Sequence, residues 1–283
     1  MPAIRLPDAE RGPIVAIGGA EDRQKERRVL LQLVQLAGAG DARIAVVPTA
    51  SSIPEEVGAL YHRVFQELGA PAPTVCRVLA RRDGSDREVL RAVEEATLVF
   101  FTGGDQLRLV ATLGGTPLAQ AVRRRNAAGL PVAGTSAGAA ALCQHMIGRG
   151  RSGQVLGRHM VSLAPGLGLS NRVVVDQHFS QRHRMGRLFS AIALNPFLLG
   201  VGIDEDTAAC LGADNVLGVW GRGSVTVVDG HDLVHTNVHE VEGRTPAAVL
   251  GMRVHVLTAG CTFALNDHVA SGPSPETIRA VAP

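Results

Sequence analysis

Residues 130–143 read LPVAGTSAGAAALC, a short apolar run that passes through a glycine-flanked serine into a string of small helix-forming residues. Gly134-Thr135-Ser136-Ala137-Gly138 fits G-x-S-x-G, and the context gives the pattern a mechanical meaning. A strand that enters a helix through so sharp a turn needs glycine where backbones approach, and it projects the central side chain from the apex. The helix amino terminus behind Ser136 leaves backbone N–H groups free to meet negative charge. Such a strand–turn–helix unit belongs to a parallel sheet covered by helices.

The sequence before it alternates in the same way. Strand-like runs are read at Pro13–Ile17, Arg43–Pro48, Val75–Leu79, Thr97–Phe101 and Pro131–Ala133. Helical periodicity is read over Glu21–Ala39, Pro54–Leu68, Ser85–Ala96 and, as one stretch, Leu107–Arg125. Nearly continuous apolar strands separated by helices predict an α/β three-layer sandwich with a largely parallel central sheet. In that architecture functional loops gather at the carboxyl ends of strands. Three candidates lie there: Gly18-Gly19-Ala20-Glu21-Asp22, Gly103-Gly104-Asp105-Gln106 and the Ser136 turn.

After Gly200 the texture changes to strands and hairpins. Val225–Val228 and Leu233-Val234 flank Asp229-Gly230, a tight-turn signal, and Arg253–Leu257 with Cys261–Leu265 predict a second hairpin around Ala259-Gly260. With neither linker nor internal repeat, residues 1–283 are expected to form one domain, β-rich from about residue 210.

Composition narrows the function classes. The formal net charge is +2 and 27 of the 28 basic residues are arginine, Lys25 being the only lysine; this is not the basic excess of a duplex-DNA binder. Neither Gly18-Gly19 nor Gly103-Gly104 extends to G-x-G-x-x-G and no G-x-x-x-x-G-K-[ST] loop is present, so a nucleotide cradle at either glycine pair is poorly supported. Cys76, Cys143, Cys210 and Cys261 are scattered without a CxxC pair, which predicts reduced thiols, no zinc site and a cytoplasmic protein. The start, MPAIRLPDAERG, lacks an apolar export segment, and no apolar run is long enough to span a membrane.

A serine hydroxyl needs an adjacent base. Of the ten histidines, His231, His235 and His239 read as surface residues near a hairpin. His178 stands out because it follows the valine run of Val173-Val-Val-Asp176-Gln177, at a strand end. A carboxylate should orient the imidazole, and Leu198–Ile203, another buried-strand candidate, ends in Asp204-Glu205-Asp206. Strand alternation does not choose among these three without the register. Ala137 N–H is the natural first oxyanion donor, and the Gly103-Gly104 turn can supply the second.

Together IGGAED (17–22), FFTGGDQLRL (100–109), GTSAGAAAL (134–142), DQHFSQRHRMGRL (176–188) and GIDEDTA (202–208) resemble the cyanophycinase family of serine peptidases, relatives of the aspartyl dipeptidase peptidase E. The pieces occur in family order across most of the chain. The resemblance implies a fold akin to class I glutamine amidotransferase domains, with serine where those carry cysteine, and a homodimer. It implies Ser136 as nucleophile, His178 as general base, Glu205 as the third member, and Gly103 or Gly104 with Ala137 as the oxyanion hole. The implied substrate is cyanophycin, a polyaspartate bearing arginine on each side chain through an isopeptide bond, released as β-aspartyl-arginine dipeptides without metal or organic cofactor. Smaller aspartyl or isoaspartyl dipeptides on the same scaffold are the alternative, and a silent binding protein is another. For a substrate rich in carboxylates and guanidinium groups, Arg182, Arg184 and Arg187 suit carboxylate recognition. Gln106, Asp176 and Gln177 suit the guanidinium. At their spacing the three arginines do not share one helical face, so at least one is expected to serve structure.

Overall fold

A computed structural model describes residues 2–3, 10–243 and 245–273; most of the polar start of the chain read above falls outside them. The strands β1 (Ile14–Ile17), β2 (Ile44–Val47), β3 (Thr74–Val75), β4 (Leu98–Phe101) and β5 (Val132–Thr135) run parallel, in the spatial order β1-β5-β4-β2-β3. All but β3, at the edge, are buried on both faces, so alternate residues feed two cores. In β4, Leu98 and Phe100 face α1 (Arg28–Leu36) and α2 (Pro54–Glu67). Val99 and Phe101 face α3 (Arg87–Glu95), α4 (Gln106–Leu113), α5 (Pro117–Ala127) and α6 (Ala137–Ala141). Each such fully buried side chain contributes about 1.5–3 kcal/mol.

Two helices differ from the sequence reading, for local reasons. The helix expected from Glu21 begins only at Arg28, because the Asp22 carboxylate accepts the backbone N–H groups of Gln24 (3.0 Å), Lys25 (2.9 Å), Glu26 (2.7 Å) and Arg27 (3.1 Å). A short acidic side chain thus competes with the helix for its own donors, and these bonds, led by Lys25 and Gln24, hold the carboxyl far below its usual range. The stretch from Leu107 to Arg125 is two helices. It breaks at Gly114-Gly115, where Gly115 has φ +77°; Thr116 then caps α5 by accepting Ala119 N–H, and Pro117 takes the first helical position.

The chain continues with a hairpin of β6 (His145–Gly150) and β7 (Val161–Pro165). Next come β8 (Val173–Gln177), α7 (Met185–Leu194) and β9 (Leu199–Ile203). The two strands pair in parallel, but in a separate four-stranded sheet. β10 (Thr207–Leu211) and β11 (Val216–Gly221) return to the main sheet, antiparallel beyond β1. β12 (Val225–Asp229) lies in the second sheet beside β9. A two-residue pair, β13 (His235–Thr236) and β14 (Val249–Leu250), precedes β15 (Arg253–Leu257), β16 (Thr262–Ala264) and β17 (Val269–Ser271).

Neither carboxyl-terminal hairpin forms as expected. β12 pairs with β15, while Leu233 and Val234 lie in no strand, because the Asp229 carboxylate accepts His231 N–H (2.8 Å) and turns the chain away. The Ala259-Gly260 turn carries the chain from the second sheet to the first, where β16 pairs with β11. The second sheet packs one face on α6, β10 and β11 through Val173, Val175, Val201, Leu217 and Phe263, and α7 covers its other face. All four cysteines are unpaired, and burial pushes the Cys76 and Cys143 thiols up to about 12.

Candidate active site

The two sheets meet at Gly18-Gly19, just beyond β1. Gly18 N–H donates to Thr207 O (2.9 Å), His178 N–H to Gly18 O (2.8 Å) and Asp206 N–H to Gly19 O (3.0 Å). This seam brings the ends of β5, β8 and β9 together, and with them three side chains distant in sequence. Ser136 Oγ lies 2.9 Å from His178 Nε2, and His178 Nδ1 lies 2.6 Å from Glu205 Oε1. The chain of contacts is continuous and opens outward: His178 is buried, Ser136 is partly exposed, and the Glu205 side chain retains 37% exposure.

Close packing forces the serine outward. A Cβ on Gly134 would come within 2.6 Å of the Gly138 backbone, and one on Gly138 within 2.4 Å of Phe101 O. Ser136 itself has φ 52° and ψ −114°, a backbone conformation costing about 1–3 kcal/mol that persists only where its surroundings enforce it. His178 (φ 47°) and Asp206 (φ 50°) are also left-handed. The second glycine loop closes over the serine, since a Cβ on Gly103 would lie 3.3 Å from Ser136 Cβ and 3.9 Å from its Oγ. At Gly104 (φ +144°) a Cβ would lie 2.1 Å from Ala50 O, and Asp105 N–H donates to that carbonyl (2.9 Å). Ala137 opens α6, so its N–H has no acceptor within the helix.

The His178 imidazole is held below its ordinary value, first by burial and then by the cations of Arg182 and Arg184; the Glu205 hydrogen bond and charge oppose this. A neutral imidazole receiving a hydroxyl proton on Nε2, with a carboxylate on Nδ1, is equipped for acyl transfer.

The family profile of peptidase family S51 matches residues 14–217. The chain belongs to peptidase family S51. It is 44% identical over 263 residues to a cyanophycinase of Trichormus variabilis, covering 93% of this chain and 88% of that one. It is 42% identical over 259 residues to a cyanophycinase of Geminocystis herdmanii, covering 91% and 95%. A crystal structure of a peptidase from an acI-B1 Actinobacterium superposes with a TM-score of 0.67 at 26% identity, covering 90% of this chain and 97% of that one.

Around this S51 site the remaining candidate residues separate. Asp176 and Arg187 are turned on each other. Asp176 is wholly buried, with Oδ2 accepting from Arg187 Nε (2.6 Å) and Oδ1 from Arg187 Nη2 and, at 3.3 Å, Arg184 Nη1. A carboxylate so enclosed does not reach a substrate guanidinium, and Arg187, itself buried, is committed to it; both expected substrate contacts are corrected to structural ones. Arg184 Nη1 also donates to Gln177 O (2.5 Å), and burial lowers its guanidinium to about 10. Gln177 Oε1 and Arg184 Nε are buried without a hydrogen-bond partner among the described residues. Gln106 Nε2 donates to Ile147 O (3.1 Å) and Gly148 O (3.2 Å), which ties the start of α4, after the Gly103-Gly104 loop, to β6. Arg182 is exposed.

The acidic triplet divides three ways. Asp204 accepts N–H and hydroxyl bonds from both Ser180 and Ser224, Glu205 takes the imidazole, and Asp206 accepts Asp22 N–H (2.8 Å). His231, His235 and His239 are exposed, and among the described residues no three His, Cys, Asp or Glu side chains are grouped to hold a metal. None of the described helices is long and apolar enough to cross a membrane. Sequence reasoning missed the role of the buried carboxylate next to the serine turn. Glu21, 3% exposed, receives the hydroxyls of Thr135 (2.6 Å) and Tyr61. Its signal was the acidic pair after Gly18-Gly19 together with the chain's single tyrosine.

Proposed function

We propose that this S51 peptidase is a serine exopeptidase releasing β-aspartyl-arginine dipeptides from cyanophycin. The observation that carries this reading is the unbroken Glu205–His178–Ser136 contact chain, at 2.6 Å and 2.9 Å; the two relatives named cyanophycinase support the substrate. Ser136 Oγ attacks the backbone carbonyl carbon between two aspartyl units as its proton passes to His178 Nε2. Glu205 holds the tautomer and offsets the imidazolium charge. Ala137 N–H and the N–H of Gly103 or Gly104 meet the developing oxyanion. His178 returns the proton to the leaving amine, and the acyl-serine ester remains. Water then adds with its proton going to His178, and on collapse His178 returns that proton to Ser136 Oγ, which frees the carboxylic acid, the serine hydroxyl and the neutral imidazole.

Substrate carboxylates are met by the exposed Arg182, and substrate guanidinium by the side-chain oxygen of the half-buried Gln106; Arg184 Nε and Gln177 Oε1 are buried and do not meet the substrate. In this reading the chain works as one α/β domain, in the cytoplasm, as a homodimer, without metal or organic cofactor. Incubation with purified cyanophycin, with products identified by mass spectrometry, tests it. The wild-type protein should release β-aspartyl-arginine and the Ser136→Ala variant should not, at an unchanged melting temperature. Turnover of small aspartyl or isoaspartyl dipeptides with none from the polymer would move the assignment to a dipeptidase.

A further inference from the structure

We propose that Glu21 is a positioning residue which, through Thr135, holds the serine turn in its strained conformation; this rests on Ser136 being the nucleophile. Glu21 follows Gly19 and Ala20, the loop on which the His178 ring rests: a Cβ on Gly19 would lie 2.5 Å from His178 Nε2 and 3.1 Å from Ser136 Cβ. From there the Glu21 side chain runs inward. Its Oε2 accepts the Thr135 hydroxyl at 2.6 Å and its Oε1 accepts the Tyr61 hydroxyl. Thr135 is the last residue of β5, in register with Ile17, and the next N–H, that of Ser136, donates to Ile17 O (2.9 Å). One carboxylate therefore joins the loop behind the base to the residue before the nucleophile.

A buried carboxylate is costly unless hydrogen-bonded, so a position needed only for packing would be filled as well by an apolar side chain. Both oxygens of Glu21 instead receive hydroxyl donors, and bonds to a carboxylate are roughly twice as strong as those between neutral groups. Tyr61 anchors the far end. Its ring packs on Phe100 of β4 (centroids 4.8 Å) and on Phe65 (6.1 Å), both fully buried. The strain at Ser136 needs surroundings that over-determine it, and the Tyr61–Glu21–Thr135 link supplies a rigid connection from the core to the peptide preceding the serine.

Thr135→Val keeps the side-chain shape and removes the donor; Thr135→Ser keeps the donor. The readouts are the rate of fluorophosphonate labelling at Ser136, kcat and KM on cyanophycin, and melting temperature. Thr135→Val should slow labelling and kcat by about 10–100-fold, the scale of a sub-ångström to ångström misplacement, with KM unchanged. Thr135→Ser should restore both. A Thr135→Val protein that melts earlier but labels at the wild-type rate overturns the proposal, as does a Thr135→Ser protein as slow as Thr135→Val. If Thr135→Val does not fold, Tyr61→Phe removes the other donor; slowed labelling at unchanged KM supports the link, and a wild-type rate overturns it. Ser136→Ala separates this from the parent reading. Label on the wild type away from residue 136 would defeat the nucleophile assignment itself.

Discussion

The His178 imidazole rests on the bare backbone of Gly19, where a Cβ would lie 2.4 Å from Cε1 and 2.5 Å from Nε2. Gly19 has φ +91°, so glycine is required there twice, for conformation and for space. Gly19→Ala should therefore cost about 1–2 kcal/mol in left-handed strain and push the ring off Ser136. kcat/KM should fall at least about 100-fold. Steady-state kinetics beside chemical denaturation check this; full activity would show that the ring has room to move.

The imidazole is depressed below its ordinary value by burial, helped by Arg182 and Arg184 and opposed by Glu205. The base must be neutral to accept a proton, so the acid limb of kcat/KM should turn below about 6.5, the unperturbed histidine value. Arg182→Ala removes a cation that disfavours the imidazolium, so the inflection should move up. Because Arg182 is exposed, that shift should be small and shrink with added salt. Glu205→Gln removes the opposing charge and should move the inflection down in whatever activity remains. A profile indifferent to Arg182 would detach that side chain from the base.

How much of this was legible in the sequence depended on whether the cause was local. The serine turn was readable because strand, glycines and small-residue helix are contiguous from Leu130 to Cys143. The break at Gly114-Gly115 and the late start of α1 at Arg28 were local too, but depend on competition, Thr116 and Asp22 offering the backbone better partners than a continued helix. The second sheet was not readable. An apolar run such as Val173–Val175 is compatible with any buried strand, and only pairing of β9 with β12, closed by β15, takes it out of the main sheet. The division of labour in Asp204-Glu205-Asp206 was hidden for the same reason, since Ser180, Ser224, His178 and Asp22 arrive from elsewhere in the chain. Asp176 and Arg187 looked like substrate ligands because sequence shows charge but not burial.

Neighbouring acids should therefore fail in different ways. Asp204 accepts hydrogen bonds at 3.0 Å and 2.6 Å from Ser180 and at 3.1 Å and 2.7 Å from Ser224, which fastens the turn after β8 to the start of β12. Burial alone would raise its carboxyl, and the four bonds outweigh that and lower it. Its stabilisation is present above the unfolded carboxylate value of about 3.9 and is lost as pH falls through the lower folded value. Asp204→Ala should lower unfolding free energy by about 2–4 kcal/mol at neutral pH, with activity falling only as the fold does. Glu205→Ala should leave denaturation nearly unchanged and remove most of kcat. The reverse ranking would mean that the imidazole is oriented by the wrong acid in this reading.

The Asp176–Arg187 pair gives the sharpest separation between a structural and a substrate role. Asp176 is wholly buried, and without Arg187 it would keep only the 3.3 Å contact of Arg184. A buried charge left nearly uncompensated costs about 3–5 kcal/mol, whereas replacing both partners with apolar side chains leaves no such charge. Arg187→Leu should therefore lower the denaturation midpoint sharply, and Asp176→Leu with Arg187→Leu should recover at least half of the loss. That non-additivity is the signature of partners in contact. Had Arg187 served the substrate instead, Arg187→Leu would fold as the wild type does and show its defect in KM, and adding Asp176→Leu would bring no recovery. Denaturation curves of the two single variants and the double variant, read with KM on cyanophycin, decide between the roles, because a buried guanidinium that gives Nε and Nη2 to Asp176 and Nη1 to Gly150 O (3.4 Å) is not presented to a substrate carboxylate.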